Sequence, residues 1–141
     1  THQTGQANAA SVQAAYARVG VDAEVLPFID DMAARLADCD LIVCRAGAGT
    51  VSELCSAGVA AVLVPLIVST TSHQRDNAQF MAQQGAAIHL PQPELTPQKL
   101  ADTLRGLDRT ALVTMGTRAR TMSKPQAAAR VADLIEGLTK S

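Results

Sequence analysis

Apolar positions along this chain alternate between short continuous runs and segments with helical spacing. The continuous runs predict strands at Ala23–Ile29, Leu41–Ala46, Ala60–Leu66 and Ala86–Gln92. Two of them, Leu41–Ala46 and Ala60–Leu66, are almost wholly apolar, which is typical of strands buried on both faces of a parallel sheet. The segments with helical spacing predict helices at Ala9–Gly20, Asp31–Asp38, Val51–Ala57, Asn77–Gln84, Gln98–Leu107, Thr110–Met122 and Pro125–Thr139.

Residues that favour helix ends support these boundaries. Gly58 and Gly85 follow two of the predicted helices, at the position where a glycine commonly ends a helix. Thr96 followed by Pro97 is typical of a helix start. Because single helices separate successive strands, the pattern predicts an α/β fold: a Rossmann-like parallel sheet with right-handed crossovers and flanking helices. With no internal repeat or linker in the sequence, we expect one domain over residues 1–141.

Composition excludes several classes of protein. Apolar residues make up 48% of the 141, which argues against disorder, and the chain length suits one core. Aromatic residues make up only 2% and the net charge is −1, which argues against a nucleic-acid partner. No apolar run approaches the roughly 18 residues that a membrane-spanning helix needs. Since the chain begins at Thr1 without a methionine, we expect it to be a piece of a longer protein.

The cysteines do not predict a disulfide framework or a zinc site. Cys39, Cys44 and Cys55 are odd in number and have no CxxC spacing. We therefore expect buried, reduced thiols.

The stretch CRAGAGTVSE (Cys44–Glu53) is the main candidate for chemistry. A buried strand is predicted to end near Arg45, and a helix to begin around Gly49 or Thr50. Glycines at 47 and 49 let the chain turn tightly and let a ligand approach the backbone. The first amides of the helix would then face outward, where a phosphate or diphosphate binds well.

Glu53 leaves two interpretations open. Its carboxylate suits the two hydroxyl groups of a ribose. Alternatively, Thr50 and Glu53 form a capping box in which Glu53 bonds a backbone amide of the helix start. The glycine pattern matches neither the dinucleotide fingerprint nor the P-loop.

The long segment Pro65–Asn77 ends in polar residues. It follows a predicted strand, which is where α/β sheets bind ligands. At its end, His73, Gln74 and Asn77 have spacings that direct side chains the same way from a helix start. Amide side chains both donate and accept hydrogen bonds, as sugar hydroxyls require. A merely solvated helix start is the alternative.

The stretch PFIDDM (Pro27–Met32) adds a third candidate. Asp30 or Asp31 is better interpreted as a helix N-cap than as a metal ligand. Phe28 and Ile29 end a predicted strand and could form a wall for a flat base. Neither His2 nor His89 suggests a catalytic pair.

These stretches occur in one order together with HQTG (His2–Gly5), GAA (Gly85–Ala87) and SKPQAAARVADLI (Ser123–Ile135). Over essentially the whole chain, they resemble the MurG-type N-acetylglucosamine transferases of bacterial peptidoglycan synthesis. That family moves GlcNAc from UDP-GlcNAc to lipid I and forms lipid II with inversion. The resemblance implies a glycosyltransferase B-type fold of two Rossmann-like domains, of which this chain is the C-terminal, UDP-GlcNAc-binding one. It also implies a peripheral protein on the cytoplasmic face of the inner membrane.

The resemblance assigns roles to individual residues. The backbone of Ile29 would contact the uracil edge beside Phe28, and Glu53 would bind the ribose. Gly49 stands where leucine is expected, which preserves backbone contacts but not side-chain packing on the nucleotide. The implied substrate-binding residues are Phe28, Ile29, Ala48, Gly49, Thr50, Val51, Ser52 and Glu53, with Ala48–Thr50 at the diphosphate, and His73, Gln74 and Asn77 at the GlcNAc.

The resemblance also implies missing parts. The domain's first strand with its phosphate loop and the N-terminal domain, which holds lipid I, the catalytic base and the membrane-associating surface, are expected to be absent. We therefore expect no catalytic residue, cofactor or metal in these 141 residues, and no transfer activity from them alone. The alternative is a non-catalytic nucleotide-sugar-binding subunit that acts with a separate membrane partner. An epimerase would need acid and base groups around the sugar, which the sequence does not offer.

Overall fold

The structure is a computed structural model that describes residues 1–66 and 72–139. It divides into two compact units, Thr1–Arg35 and Leu36–Ser141, and each is described by itself. Residues 67–71, part of the long segment predicted to bind a ligand, lie outside the described residues.

The first unit is a small βαβ arrangement. Strand β1 (His2–Gln3) pairs in parallel with β2 (Val25–Leu26), and helix α1 (Ala9–Arg18) connects them. The sequence pattern did not predict β1, because its two residues are polar and exposed and give no apolar signal. Helix α2 (Met32–Ala37) begins at the end of this unit. The Asp31 carboxylate accepts a hydrogen bond from the Ala34 amide at 3.0 Å, which confirms the expected N-cap.

The second unit is built on a three-stranded parallel sheet in the order β3–β4–β5. The register pairs Cys44 with Leu63 and Leu63 with His89. The 3₁₀ turn in this unit is Gln92–Glu94. The strands are β3 (Leu41–Cys44), β4 (Ala60–Leu63) and β5 (Ile88–His89), and the helices are α3 (Ala48–Ala57), α4 (His73–Gln83), α5 (Pro97–Arg105), α6 (Arg109–Thr121) and α7 (Ala127–Thr139).

The core of the second unit lies around β4, all four residues of which are buried. On one face of the sheet, Val62, Val64 and Leu90 form a buried cluster. Partly buried apolar side chains complete it: Leu41, Ile88 and Leu100. Full burial of a side chain of this size stabilises the fold by about 1.5–3 kcal/mol. The buried central strand therefore gives the strand ends on either side a rigid support.

The predicted fold class is confirmed: strands pair in parallel, and helices alternate with them. Gly58 (φ 71°) and Gly85 (φ 64°) adopt the left-handed conformation directly after α3 and shortly after α4, as expected. Thr96 caps α5 by accepting a hydrogen bond from the Lys99 amide at 3.1 Å. Among the described residues, no helix combines the length and the apolar character that crossing a membrane requires.

Two helices begin three or four residues earlier than predicted. Helix α3 begins at Ala48 instead of Val51, and α4 begins at His73 instead of Asn77. The first turns of both helices carry glycine or polar residues, so the apolar periodicity used for the prediction is absent there. Both early starts matter for function, because they place the candidate residues of the two segments on helix starts.

Candidate functional site

The candidate site of the second unit lies at the carboxyl edge of its sheet. Because β3 and β4 are parallel, the turn Arg45–Gly47 and the segment Val64–Leu66 leave the sheet at the same edge. Helix α3 follows that turn, and α4 follows the undescribed residues. Open α/β sheets bind their ligands in this position.

The start of α3 presents backbone amides that the helix does not use. Gly47 is the N-cap in an extended conformation (φ −63°, ψ 152°) and makes no side-chain capping bond. The first α-helical hydrogen bond runs from the Val51 amide to the Gly47 carbonyl at 2.9 Å, so the amides of Ala48, Gly49 and Thr50 precede the ladder. A Cβ at Gly49 would meet no atom of residues 1–66 or 72–139 within 4 Å. These amides, with the positive end of the helix dipole, can bind an anion.

Glu53 lies on the second turn of the same helix with an exposed side chain. No described residue makes a hydrogen bond or an ion pair with its carboxylate. The capping-box interpretation is wrong, because α3 begins at Ala48 and Thr50 therefore lies inside the helix. Of the two residues between them, Val51 is half-buried and Ser52 is exposed. Glu53 is thus an accessible carboxylate close to the amides of the helix start.

The first turns of α4 are tied to the neighbouring loops. The Asn77 Nδ2 donates to the Ala46 carbonyl at 3.0 Å, directly before Gly47. The Gln74 Oε1 accepts from the Leu66 amide at 2.8 Å. The interpretation of these two amides as merely solvated is therefore wrong, although His73 is exposed. Within residues 1–66 and 72–139, the opposite ends of the two amides, the Asn77 Oδ1 and the Gln74 Nε2, have no hydrogen-bond partner.

The start of α4 differs electrostatically from that of α3. Asp76 lies in the first turn of α4, and its carboxylate accepts a hydrogen bond from the Ser72 hydroxyl at 2.8 Å. That hydrogen bond lowers the pKa of Asp76, with a smaller contribution from the charge of Arg75. An ionised carboxylate already occupies this helix end, whereas α3 has no acidic residue in its first turn. Of these two helix starts, that of α3 is therefore the better suited to bind an anion.

Phe28 and Ile29 belong to the first unit. The Ile29 amide donates to the Gln3 Oε1 at 2.9 Å. The Phe28 side chain is 67% exposed, which is unusual for an aromatic residue without a partner surface. Their assignment to a base-binding wall stays a prediction.

Sequence reasoning missed two polar residues at the carboxyl edge. The Arg45 Nη1 donates to the Gln92 Oε1 at 2.7 Å and to the Val64 carbonyl at 3.2 Å. These bonds join the loops that follow all three strands of the sheet. The only signal in the sequence was a charged residue directly after a buried apolar run.

Burial raises the pKa of all three cysteine thiols, so none is activated as a nucleophile. Burial raises the pKa of the Cys44 thiol to about 11, so it is neutral and a poor nucleophile at neutral pH. Cys55 is buried as expected, whereas Cys39 and Cys44 are half-buried. The Nδ1 of His2 lies 3.1 Å from the Tyr16 hydroxyl. Within the described ranges, no three His, Cys, Asp or Glu side chains come together to hold a metal ion.

Replacing Asn77 tests how the turn is held. Asn77→Ala removes the hydrogen bond to Ala46, and we expect the free energy of unfolding to fall by about 1 kcal/mol. Asn77→Asp should cost at least as much, because its carboxylate would face the Ala46 carbonyl. Urea denaturation measures both variants, and unchanged stability in both would show that the turn does not depend on this bond.

The chain is similar to curated transferases along its whole length. The relative from Methylibium petroleiphilum is 70% identical over 141 residues, covering 99% of this chain and 38% of its own length. The relative from Chromobacterium violaceum is 62% identical over 140 residues, covering 98% and 39%. Both are named UDP-N-acetylglucosamine–N-acetylmuramyl-(pentapeptide) pyrophosphoryl-undecaprenol N-acetylglucosamine transferase. The chain thus spans about two fifths of the length of these relatives.

Solved structures agree with these relatives. The crystal structure of Acinetobacter baumannii MurG matches with a TM-score of 0.91 and 43% identity, over 96% of this chain and 42% of the other. The glycosyltransferase VinC, solved in complex with dTDP, matches with a TM-score of 0.64 over 91% of this chain and 33% of the other. Its 24% identity shows a shared fold alone.

A family model also matches nearly the whole chain. The model describes the C-terminal domain of glycosyltransferase family 28, and its match extends over residues 1–138. With the relatives above, this match establishes that the chain belongs to the glycosyltransferase family 28 C-terminal domain family.

Proposed function

We propose that this chain forms the donor-binding part of an inverting transferase of peptidoglycan synthesis, which moves GlcNAc from UDP-GlcNAc to lipid I and forms lipid II. The observation that carries the proposal is the 70% identity, over 141 residues, to a relative whose name states this donor and this type of acceptor. Because the chain covers 38% of that relative, the activity of the whole protein is inferred from the relative.

The geometry supports the start of α3 as the diphosphate-binding position. The amides of Ala48, Gly49 and Thr50 precede the first intrahelical hydrogen bond, and the open space at Gly49 lets a diphosphate approach the backbone. During transfer, the bond between the sugar and the UDP breaks, and the leaving diphosphate gains negative charge. Fixed amide dipoles stabilise that charge without reorganising. Donor binding and catalysis thus draw on the same amides.

Glu53 is the proposed ribose-binding residue. Its exposed carboxylate can accept one hydrogen bond from each ribose hydroxyl. It lies on the turn after the diphosphate-binding amides, so a nucleotide can contact both while the like charges of carboxylate and diphosphate stay apart. Recognition of a nucleoside through its two hydroxyls explains an acidic residue near an anion-binding helix start.

The GlcNAc is assigned to α4. The Gln74 Nε2 and the Asn77 Oδ1 supply one donor and one acceptor, while the other ends of both amides are held by Leu66 and Ala46. Amides fixed in this way orient their remaining atoms and favour one arrangement of sugar hydroxyls. His73 is a third contact. On the resemblance alone, the uracil is assigned to Ile29 and Phe28.

The acceptor and the membrane belong to the proposal for the whole protein. The relatives' names specify an undecaprenol-linked acceptor, which is anchored in a lipid bilayer. The protein would therefore work as a peripheral protein on the cytoplasmic face of the inner membrane, where UDP-GlcNAc is available. Its acceptor would bind to a part of the protein outside these 141 residues.

Calorimetry with two nucleotide sugars tests the proposed function. The protein should be used as its gene encodes it in full. We expect UDP-GlcNAc to bind, and UDP-glucose to bind on the order of tenfold more weakly because it lacks the acetamido group and its hydrogen bonds. A protein that binds neither compound does not have the proposed donor site. Equal binding of both would show that the site does not distinguish GlcNAc from glucose and would contradict the proposed selectivity for GlcNAc.

A further inference from the structure

We infer that Gln92 is a positioning residue for the diphosphate-binding turn and that it acts through Arg45. The inference rests on the proposed function, because it concerns the same donor site. Gln92 is not one of the residues that the sequence pattern or the family resemblance assigned to the substrate. The structure connects it to the turn through a single side chain.

The backbone around Gln92 is a fixed support. The Leu90 amide donates to the Leu63 carbonyl at 2.9 Å, which continues the pairing of β4 and β5 beyond His89. Pro91 follows with φ −58° and allows little rotation. The Glu94 amide then bonds the Pro91 carbonyl at 2.9 Å and closes a 3₁₀ turn that begins at Gln92. The Gln92 side chain therefore extends from a short turn held at both ends.

Arg45 carries this restraint to the turn after β3. Its Nη1 donates to the Gln92 Oε1 at 2.7 Å and to the Val64 carbonyl at 3.2 Å. Val64 is only 4% exposed, and its amide bonds the Cys44 carbonyl at 2.8 Å. The guanidinium group thus holds the residue after β3 against the loops that follow β4 and β5.

The backbone of the turn after β3 needs restraint because it contains Gly47 and leads to Gly49. Gly47 and Gly49 have no Cβ to limit their backbone conformations, so the direction of the amides at 48–50 depends on what fixes the residues before them. Ala46 is fully buried, and Asn77 holds its carbonyl at 3.0 Å. Arg45 is the second restraint, on the strand side of Ala46. Among the described residues, losing Gln92 would leave the guanidinium with one hydrogen bond, the longer one to the Val64 carbonyl.

Glutamine also suits the charge of the site. Its amide oxygen accepts from Arg45 without bringing a carboxylate to an edge where a diphosphate is proposed to bind. Arg45 therefore keeps its positive charge uncompensated by its partner. A neutral acceptor fixes the cation and leaves the local potential favourable for an anion.

The test compares two ligands that differ in the diphosphate. In the full-length protein, UDP binding is measured by calorimetry and uridine binding by ligand-detected NMR. We expect Gln92→Leu to weaken UDP binding roughly three- to tenfold, which is what the loss of one hydrogen bond of ordinary net strength would cause. Uridine binding should not change, because uridine has no group for the positioned amides. The control is Gln98→Leu, which removes a 2.8 Å bond to Asp102 on α5, outside the site.

A double-mutant cycle tests the route through Arg45. If Gln92 acts through Arg45, Gln92→Leu in an Arg45→Met background should add no further loss of UDP affinity. The inference is overturned if Gln92→Leu leaves UDP affinity unchanged, if it weakens UDP and uridine equally, or if the two substitutions are additive. Wild-type protein that binds no UDP would refute the proposed function and this inference with it. Gln92→Ala, measured in parallel, separates loss of the acceptor from any effect of leucine on folding.

Discussion

Glu53→Ala is expected to weaken binding of UDP-GlcNAc by about 1.5–3 kcal/mol, the range for hydrogen bonds to a charged group. That loss corresponds to a factor of roughly ten to over a hundred in Kd. The side chain is exposed and has no partner among the described residues, so its removal should leave the unfolding temperature unchanged. Calorimetric titration of the full-length protein measures the change, and unaltered affinity would remove Glu53 from the site.

The sign of this effect is informative. Long-range electrostatics alone would make UDP bind more tightly when a carboxylate is lost, so weaker binding indicates direct hydrogen bonds. Glu94→Ala is the matched control, because it removes an exposed carboxylate from the loop after β5. It should leave affinity unchanged or slightly raised. In addition, 2′-deoxy-UDP should bind more weakly than UDP to the wild type, with a smaller difference in the Glu53→Ala variant.

Gly116→Ala is expected to lower the free energy of unfolding by about 1–3 kcal/mol, as overpacking of a well-packed core does. Gly116 is a buried residue of α6 that packs against the chain between α3 and β4. A Cβ there would collide with the Gly58 carbonyl oxygen and lie 3.6 Å from the Ala60 amide nitrogen. The colliding Gly58 oxygen is a backbone atom, so relief requires α6 or the chain at Gly58 to move. Chemical denaturation measures the loss.

The control for this substitution is another glycine in a helix. A Cβ at Gly137 of α7 would meet no atom within 4 Å in the part of the chain that the structure describes. Gly137→Ala should therefore stabilise the protein by up to about 1 kcal/mol, through helix propensity alone. If Gly116→Ala also stabilised the protein, that result would contradict the close packing of α6 against Gly58.

Apolar patterning was enough to predict the architecture around the site. Leu41–Ala46 and Ala60–Leu66 were predicted as buried strands, and the strands observed there are Leu41–Cys44 and Ala60–Leu63. The pattern works because a strand buried in a parallel sheet needs apolar side chains on both faces. The strand His2–Gln3 could not be predicted in this way, since its pairing depends on backbone hydrogen bonds between exposed residues.

Only some features of the candidate site could be predicted, because some depend on local sequence and others on tertiary structure. Backbone amides at a helix start follow from local sequence, and glycines at 47 and 49 indicated them. The exact start of α3 ruled out a capping box at Glu53, and the sequence placed that start one to three residues too late. Bonds that span long separations, such as Asn77 to Ala46 and Arg45 to Gln92, depend on tertiary structure and left no periodic signal.

The two amide side chains show why residue type alone was insufficient. The sequence assigned Gln74 and Asn77 to a sugar because amides both donate and accept. In the structure, each makes a hydrogen bond to the backbone: the Gln74 side chain accepts from the Leu66 amide, and the Asn77 side chain donates to the Ala46 carbonyl. One polar end of each amide therefore supports the fold, and the other end, the Gln74 Nε2 or the Asn77 Oδ1, is the one proposed to contact the sugar. Residue type alone does not indicate which end does which.

The most direct test of the central claim is a crystal structure of the full-length protein with UDP-GlcNAc bound. The account predicts diphosphate oxygens at about 2.7–3.2 Å from amide nitrogens among Ala48, Gly49 and Thr50, with ribose hydroxyls on the Glu53 carboxylate. A nucleotide bound with its diphosphate elsewhere, or with its ribose away from Glu53, would contradict the account.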